Sequence, residues 1–150
     1  GLSDFRKDAL ATALHVYYLQ RKYPYVEYSL SCPRLRPIIN NEKINPLDVH
    51  ETELCQVLCA YRIFLPYVGI TVSSREQEHF RNGIVKIAAT KVSAGVSTGI
   101  GDHESKYKGE ETQNAGDEQF EISDDRSFDA MYQDMEKGGL QPVLNDYVYV

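Results

Sequence analysis

The chain has 150 residues, a hydrophobic fraction of 42% and a formal net charge of −6. That length suits one domain or a part of one, and the apolar share is enough for a packed core where a disordered chain would fall short. The acidic balance argues against a nucleic-acid-binding surface, and no apolar run nears the ~20 residues that span a bilayer.

Asp4, Arg6, Lys7 and Asp8 break any signal-peptide pattern at the start. Three cysteines form an odd set without a disulfide framework, which points to a reducing cytoplasm. A chain opening on Gly1 rather than Met is expected to have been trimmed.

Residues 3–22 read as a helix capped by Ser3, with Asp4 suiting the dipole in its first turn. Leu10, Leu14, Tyr17 and Tyr18 share a face; Arg21 and Lys22 suit the C-terminus, and Pro24 stops the helix. His15 reads as a surface or boundary residue. Val26 to Ser31 alternates, with Val26, Tyr28 and Leu30 on one face and Glu27, Ser29 and Ser31 on the other. The strand breaks at Pro33 and releases Arg34 and Arg36. Residues 38–45 are polar loop, and Asn45-Pro46 reads as a cap with proline at the first helical position.

Residues 46–65 form the clearest helix, with Leu54, Leu58, Tyr61 and Leu65 as its stripe and Pro66 at its end. Cys55 and Cys59 lie one turn apart on it, without further cysteine or histidine at ligand spacing, and read as packing residues. Val68 to Ser73 alternates again. Ser74 and Gln77 predict a capping box opening a helix over 75–87, which places Ser73, Ser74 and Arg75 where a strand end meets a helix N-terminus, a junction that favours anions. Lys91 to Ser97 alternates a third time, before a small Gly99-Ile100-Gly101 turn. Residues 102–119 read as a solvated loop, with a lid as the functional alternative. Phe120-Glu121-Ile122 reads as a short extended piece. Asp124 or Asp125 is expected to cap a last helix carrying Phe128, Met131, Tyr132 and Met135, closed by Gly138-Gly139. The apolar, aromatic tail Val143 to Val150 is expected to dock.

Helices alternating with short strands predict a parallel β/α arrangement with right-handed crossovers. Strands buried on both faces of an open sheet would be apolar throughout. Here each strand has one apolar and one small or polar face, which fits a β/α barrel whose polar faces line a lumen. Sites in such barrels sit at the C-terminal strand ends. Ser31, Arg34, Arg36, Ser73, Arg75, Ser93 and Ser97 lie at or just beyond those ends. Arginines and serines converging there suit a carboxylate. The competing reading is that Arg34 and Arg36 form surface ion pairs with the surplus acids. His50, His79 and His103 have no evident partner for triad chemistry, and no catalytic residue or metal ligand is assigned.

Several stretches together resemble the C-terminal part of 2-iminoacetate synthase, the tyrosine lyase of thiamine biosynthesis in the radical S-adenosylmethionine superfamily. They are residues 1–6, 31–37 (Ser-Cys-Pro-Arg-Leu-Arg-Pro), 71–76 (Thr-Val-Ser-Ser-Arg-Glu), 91–98 (Lys-Val-Ser-Ala-Gly-Val-Ser-Thr) and 117–124. The resemblance implies the C-terminal part of a TIM-type β/α barrel over residues 1–98, with about three parallel strands. Residues 99–150 would form a loop, helix and tail packing on it. It implies cleavage of tyrosine to p-cresol and 2-iminoacetate (dehydroglycine) for the thiazole ring, with S-adenosylmethionine and a [4Fe-4S] cluster in the complete enzyme. Arg34, Arg36, Ser73, Arg75, Ser93 and Ser97 would hold the substrate, and the backbone around Ser29 and Ser31 would face S-adenosylmethionine. The implied partners are tyrosine, the thiazole synthase machinery and an N-terminal half-barrel.

The family's Cys-x3-Cys-x2-Cys cluster loop is not in this chain. Cys55-Gln-Val-Leu-Cys59 copies its first interval, but Arg62 stands where the third cysteine belongs. The chain alone is therefore expected to be inactive, and a three-stranded part-barrel to be marginally stable or to associate. The rival readings are the tyrosine lyase that matures [FeFe]-hydrogenase, disfavoured because no cysteine follows Cys59, and a non-catalytic binding or assembly module.

Overall fold

The computed structural model describes residues 1, 3–35, 49–96 and 122–144. Arg36, Ser97, the expected Asn45-Pro46 cap, the 99–101 turn, the 102–119 loop, most of the 120–122 piece and the tail beyond Leu144 lie outside them.

Helix α1 spans Phe5–Lys22. Its cap is Asp4 rather than Ser3. The Asp4 carboxylate accepts from the N–H groups of Arg6 and Lys7 at 3.1 and 3.3 Å, adding a negative charge to the cap. Ser3 Oγ instead donates to the Asp8 carboxylate. The covered face also differs from expectation. Ala13 and Val16 are buried and Ala9 and Tyr17 pack beside them, whereas Leu10 is 61% and Tyr18 64% exposed. Small alanines let α1 lie close against the second helix, where Tyr61 Oη donates to the Ala9 carbonyl at 3.0 Å. Tyr28 Oη then bonds the carbonyls of Leu19 and Tyr23, closing the turn out of α1.

Strand β1 spans Ser29–Ser31. It starts later than the expected Val26, because ladder pairing begins only at Ser29 and the Val26 N–H bonds back to the Tyr23 carbonyl. Helix α2 runs Glu51–Phe64, and all four expected stripe residues, Leu54, Leu58, Tyr61 and Leu65, are buried. His50 and Glu53 form a reciprocal capping box at its start. Arg62 fastens its far end, donating to the carbonyls of Pro66, Val68 and Ala88.

Strand β2 is Gly69–Val72 and β3 is Lys91–Val92. The sheet is parallel in the order β1-β2-β3, with Ser31 opposite Thr71, Thr71 opposite Lys91 and Val72 opposite Val92. Leu30, Ile70 and Val72 are buried under the helices, with α2 as the crossover from β1 to β2 and the 78–84 helix as that from β2 to β3. Ser29, Ser31, Gly69, Thr71 and Lys91 occupy the opposite face. The expected three parallel strands, each with one apolar and one small or polar face, are present, within shorter bounds.

Helix α3 spans Glu78–Ile84 with Gln77 at its cap position, not 75–87. The expected Ser74–Gln77 box does not form, because residues 73–76 make a turn of their own. Ser73 Oγ accepts from the Arg75 N–H at 3.2 Å, and the Glu76 N–H bonds the Ser73 carbonyl. Ile84 is followed by tight turns to Thr90, whose hydroxyl accepts from the Ile70 N–H at 2.9 Å. Helix α4 spans Phe128–Lys137. Its cap is Ser127, whose Oγ accepts from the Ala130 N–H, rather than Asp124 or Asp125. Met131 and Met135 are buried, and Gly138-Gly139 ends the helix with Gly139 at φ +80°.

Candidate functional site

Because the strands are parallel, their C-terminal ends share one edge. Ser31 ends β1. Ser73 and Ser93 each follow the Val72–Val92 pair, so the register sets them in the next row. On the polar face below, Ser29 Oγ lies 3.4 Å from Thr71 Oγ1, and Lys91 Nζ pairs with Glu27 at 3.1 Å. A Cβ at Gly69 would come within 3.0 Å of Ser29 Oγ and 3.4 Å of Lys91 Cε, so this face is already close-set.

Arg34 reaches across the edge from β1 rather than pointing outward. Its Nε donates to Glu76 Oε2 at 2.8 Å and a terminal nitrogen donates to the same oxygen, while another donates to the Val49 carbonyl. Glu51 lies 3.8 Å from the guanidinium and also meets His79 Nε2 at 3.0 Å. The Arg34 fork is thus engaged by a buried glutamate in the turn that carries Ser73 and Arg75. The pair is buried and is not the surface ion pair of the competing reading.

A second buried pair stands at the ends of β2 and β3. Arg81 on α3 is 0% exposed; it donates to Asp124 Oδ2 at 2.5 Å and to the Ser93 carbonyl. Its Nε has no hydrogen-bond partner among the described residues. Asp124 also binds Arg126, at 2.9 and 2.6 Å, and Arg126 continues to Asp134 at 3.0 Å and Asn82 at 3.1 Å. Glu76 lies near enough for its charge to favour the Arg81 guanidinium. Charges therefore alternate along the edge: Arg34, Glu76, Arg81, Asp124, Arg126, Asp134. Burial opposes the Asp124 carboxylate, but its bonds to Arg126 and the charge of Arg81 outweigh burial and hold it below the usual range. Burial likewise pulls Arg81 down, against the countering charge of Asp124.

A cavity of about 220 Å³ opens between α1 and α2 beside Ser31, Cys32 and Arg34. Burial pushes the Cys32 thiol up to about 11 despite a bond to Tyr61. A larger cavity of about 840 Å³ lies at the other end of the strands, near Tyr67, Thr90 and Leu144. The guanidinium of Arg62 there is engaged by backbone carbonyls.

The profile of the Biotin and Thiamin Synthesis associated domain matches residues 31–141. The chain belongs to that family. It is 35% identical over 149 residues to 2-iminoacetate synthase of Escherichia coli (strain K12), covering 98% of this chain and 37% of that one. The match to the Salmonella typhimurium (strain LT2) enzyme is 34% over the same length. The chain thus spans little more than a third of the length of the curated relatives it matches, consistent with their C-terminal part. Among solved structures, HydG, a maturase of the [FeFe]-hydrogenase, superposes with a TM-score of 0.79 at 29% identity, over 97% of this chain and 30% of that one. HydG from Carboxydothermus hydrogenoformans gives 0.76 at 28%, over 93% of this chain and 30% of that one.

Among the described residues of this chain the donor set does not suit an iron–sulfur cluster. Cys55 and Cys59 lie one turn apart on α2, Cys32 is half-buried against the core, and among the described residues no three His, Cys, Asp or Glu side chains gather to hold a metal. Among the same residues, no helix is long and apolar enough to cross a membrane. Glu76, Arg81, Asp124 and Arg126 form a charge network at these strand ends that the sequence pattern did not disclose. The available signal was Arg81 standing between the buried apolar residues Phe80 and Ile84 of α3, where an arginine needs a partner.

Proposed function

We propose that this chain is the C-terminal portion of a 2-iminoacetate synthase, whose whole form cleaves tyrosine to p-cresol and 2-iminoacetate for thiazole assembly in the cytoplasm. The observation that carries the reading is 35% identity to such an enzyme across 98% of the chain. In this reading the sheet is one side of a β/α barrel, residues 1–98 form that side, and residues 99–150 pack on it. A [4Fe-4S] cluster and S-adenosylmethionine, held mainly by the rest of the enzyme, would supply radical chemistry when bound. This chain's residues bind and orient. The β1 backbone at Ser29 and Ser31 faces S-adenosylmethionine. Ser73, Arg75 and Ser93, with Arg36 and Ser97, hold the tyrosine carboxylate by charge-assisted hydrogen bonds. Arg34 fixes Glu76 and so the turn bearing Ser73 and Arg75. The product passes to the thiazole synthase machinery.

The test uses the whole enzyme. Removing a charge-assisted partner costs about 1.5–3 kcal/mol, roughly 10- to 100-fold in affinity. Arg75→Ala is expected to weaken tyrosine binding by that factor and to cut p-cresol release, and the 150-residue chain alone to release none. Unchanged tyrosine affinity would remove Arg75 from the site. Maturation of an [FeFe]-hydrogenase by the whole enzyme, in place of support for thiazole formation, would favour the hydrogenase-maturase reading that the HydG superposition supports. Stable cluster uptake by the isolated chain after treatment with iron and sulfide would overturn the division of labour.

A further inference from the structure

The segment 123–126 joins the two strand ends that carry the proposed substrate contacts. The N–H groups of Ser123 and Asp124 both bond the Ser74 carbonyl, at 3.1 and 3.0 Å, just beyond β2. The Gly95 N–H bonds the Arg126 carbonyl at 3.0 Å, just beyond β3. Between these backbone links, the buried Arg81 holds Asp124 with one terminal nitrogen and the Ser93 carbonyl with the other. The outer end of the segment is fixed by Arg126 on Asp134 and Asn82.

From this we infer that Arg81, through Asp124 and the 123–126 strap, is a positioning residue that sets Ser93 against Ser73 and Arg75 for the tyrosine carboxylate. The inference rests on the function proposed above. Strands as short as β2 and β3 share few ladder bonds, so their ends need another device to hold a fixed separation. A planar fork bonding two acceptors at fixed angles is such a device, and a lysine, with one nitrogen, cannot copy it. Among the described residues the backbone bonds of the strap go to the chain just beyond β2 and β3 and none goes to β1. Slackening the strap therefore affects tyrosine more than S-adenosylmethionine.

The experiment compares wild type, Arg81→Lys and Arg126→Lys in the whole enzyme. It measures tyrosine affinity, S-adenosylmethionine affinity, KM, kcat and Tm. Misplacement by a fraction of an ångström is expected to weaken tyrosine binding about tenfold in Arg81→Lys, and by a smaller factor in Arg126→Lys, with S-adenosylmethionine affinity changed by less than about twofold. KM should rise more than kcat falls. If Arg81→Lys does not fold, Arg126→Lys decides, since it loosens the bonds of Arg126 to Asp124, Asp134 and Asn82 and leaves Arg81 with both of its acceptors. Tyrosine affinity unchanged in a folded variant while Tm falls would show a structural clamp and overturn the positioning role. Equal losses for both ligands would overturn it too. A wild-type enzyme that binds no tyrosine would sink the proposed function and this inference with it; one that binds tyrosine equally in all three forms would sink this inference alone.

Discussion

Burial alone would favour the neutral form of a carboxyl that is 4% exposed, as Asp124 is, and the surrounding guanidinium groups reverse that preference. Its pKa in the fold lies below the ordinary 3.8. A depressed carboxylate contributes stability that is present above the unfolded pKa and lost as pH falls through the folded one. Wild type is therefore expected to lose stability as pH drops below about 4. Asp124→Asn, destabilised by about 3–5 kcal/mol at pH 6 because it uncouples a buried pair, should show a shallower acid limb in melts taken from pH 6 down to pH 2. Parallel acid limbs for the two proteins would count against the ionised pair. The thiol of Cys32 behaves oppositely. Burial raises it from 9.0 to about 11, so its contribution is complete below pH 9 and fades as pH rises toward 11. Cys32→Ala should flatten that alkaline limb.

Helix α2 was legible because its apolar residues at four-, three- and four-residue spacing are the ones the sheet covers. Leu58, 1% exposed at the centre of that stripe, should cost about 2–5 kcal/mol on truncation to alanine, read as a lower urea midpoint with an unchanged slope. Helix α1 was legible as a helix but not in its orientation. Periodicity marks an apolar stripe, yet close approach selected the adjoining Ala9, Ala13 and Val16 side. Leu10→Ala should accordingly change stability by less than about 0.5 kcal/mol, while Asp4→Ala, which removes the cap, should cost about 1 kcal/mol. The turn at 73–76 carried the letters of a capping box, and a backbone demand decided otherwise: the Ser74 carbonyl was needed by the 123–124 N–H groups. The same reason hid the charge network. Arg81 and Asp124 are 43 positions apart, so their pairing leaves no local pattern. By local pattern Asp124 suits a helix cap, but Ser127 takes that role.

The described sheet has β1 and β3 as its edges, and on the face opposite the helices Ser29 and Ser31 are exposed and Thr71 and Lys91 half-buried. On the helix side, Leu10, Leu14 and Tyr18 form an exposed apolar strip along α1, with Ile63 and Phe64 exposed at the end of α2. Unpaired parallel edges and apolar strips of this kind invite pairing with another chain. A whole barrel would close the edges, and neighbouring barrel helices would cover the strip. Studied by itself, this 150-residue chain should therefore self-associate across the micromolar range, seen as a concentration-dependent sedimentation coefficient. The double variant Leu10→Lys with Tyr18→Lys should reduce that association while leaving Tm nearly unchanged, because neither side chain is in the core. If the double variant associates as strongly as wild type, the strand edges rather than the α1 strip drive assembly. If wild type stays monomeric at every concentration and melts cooperatively at high temperature, the sheet is already complete as it stands, and the half-barrel reading of this chain fails.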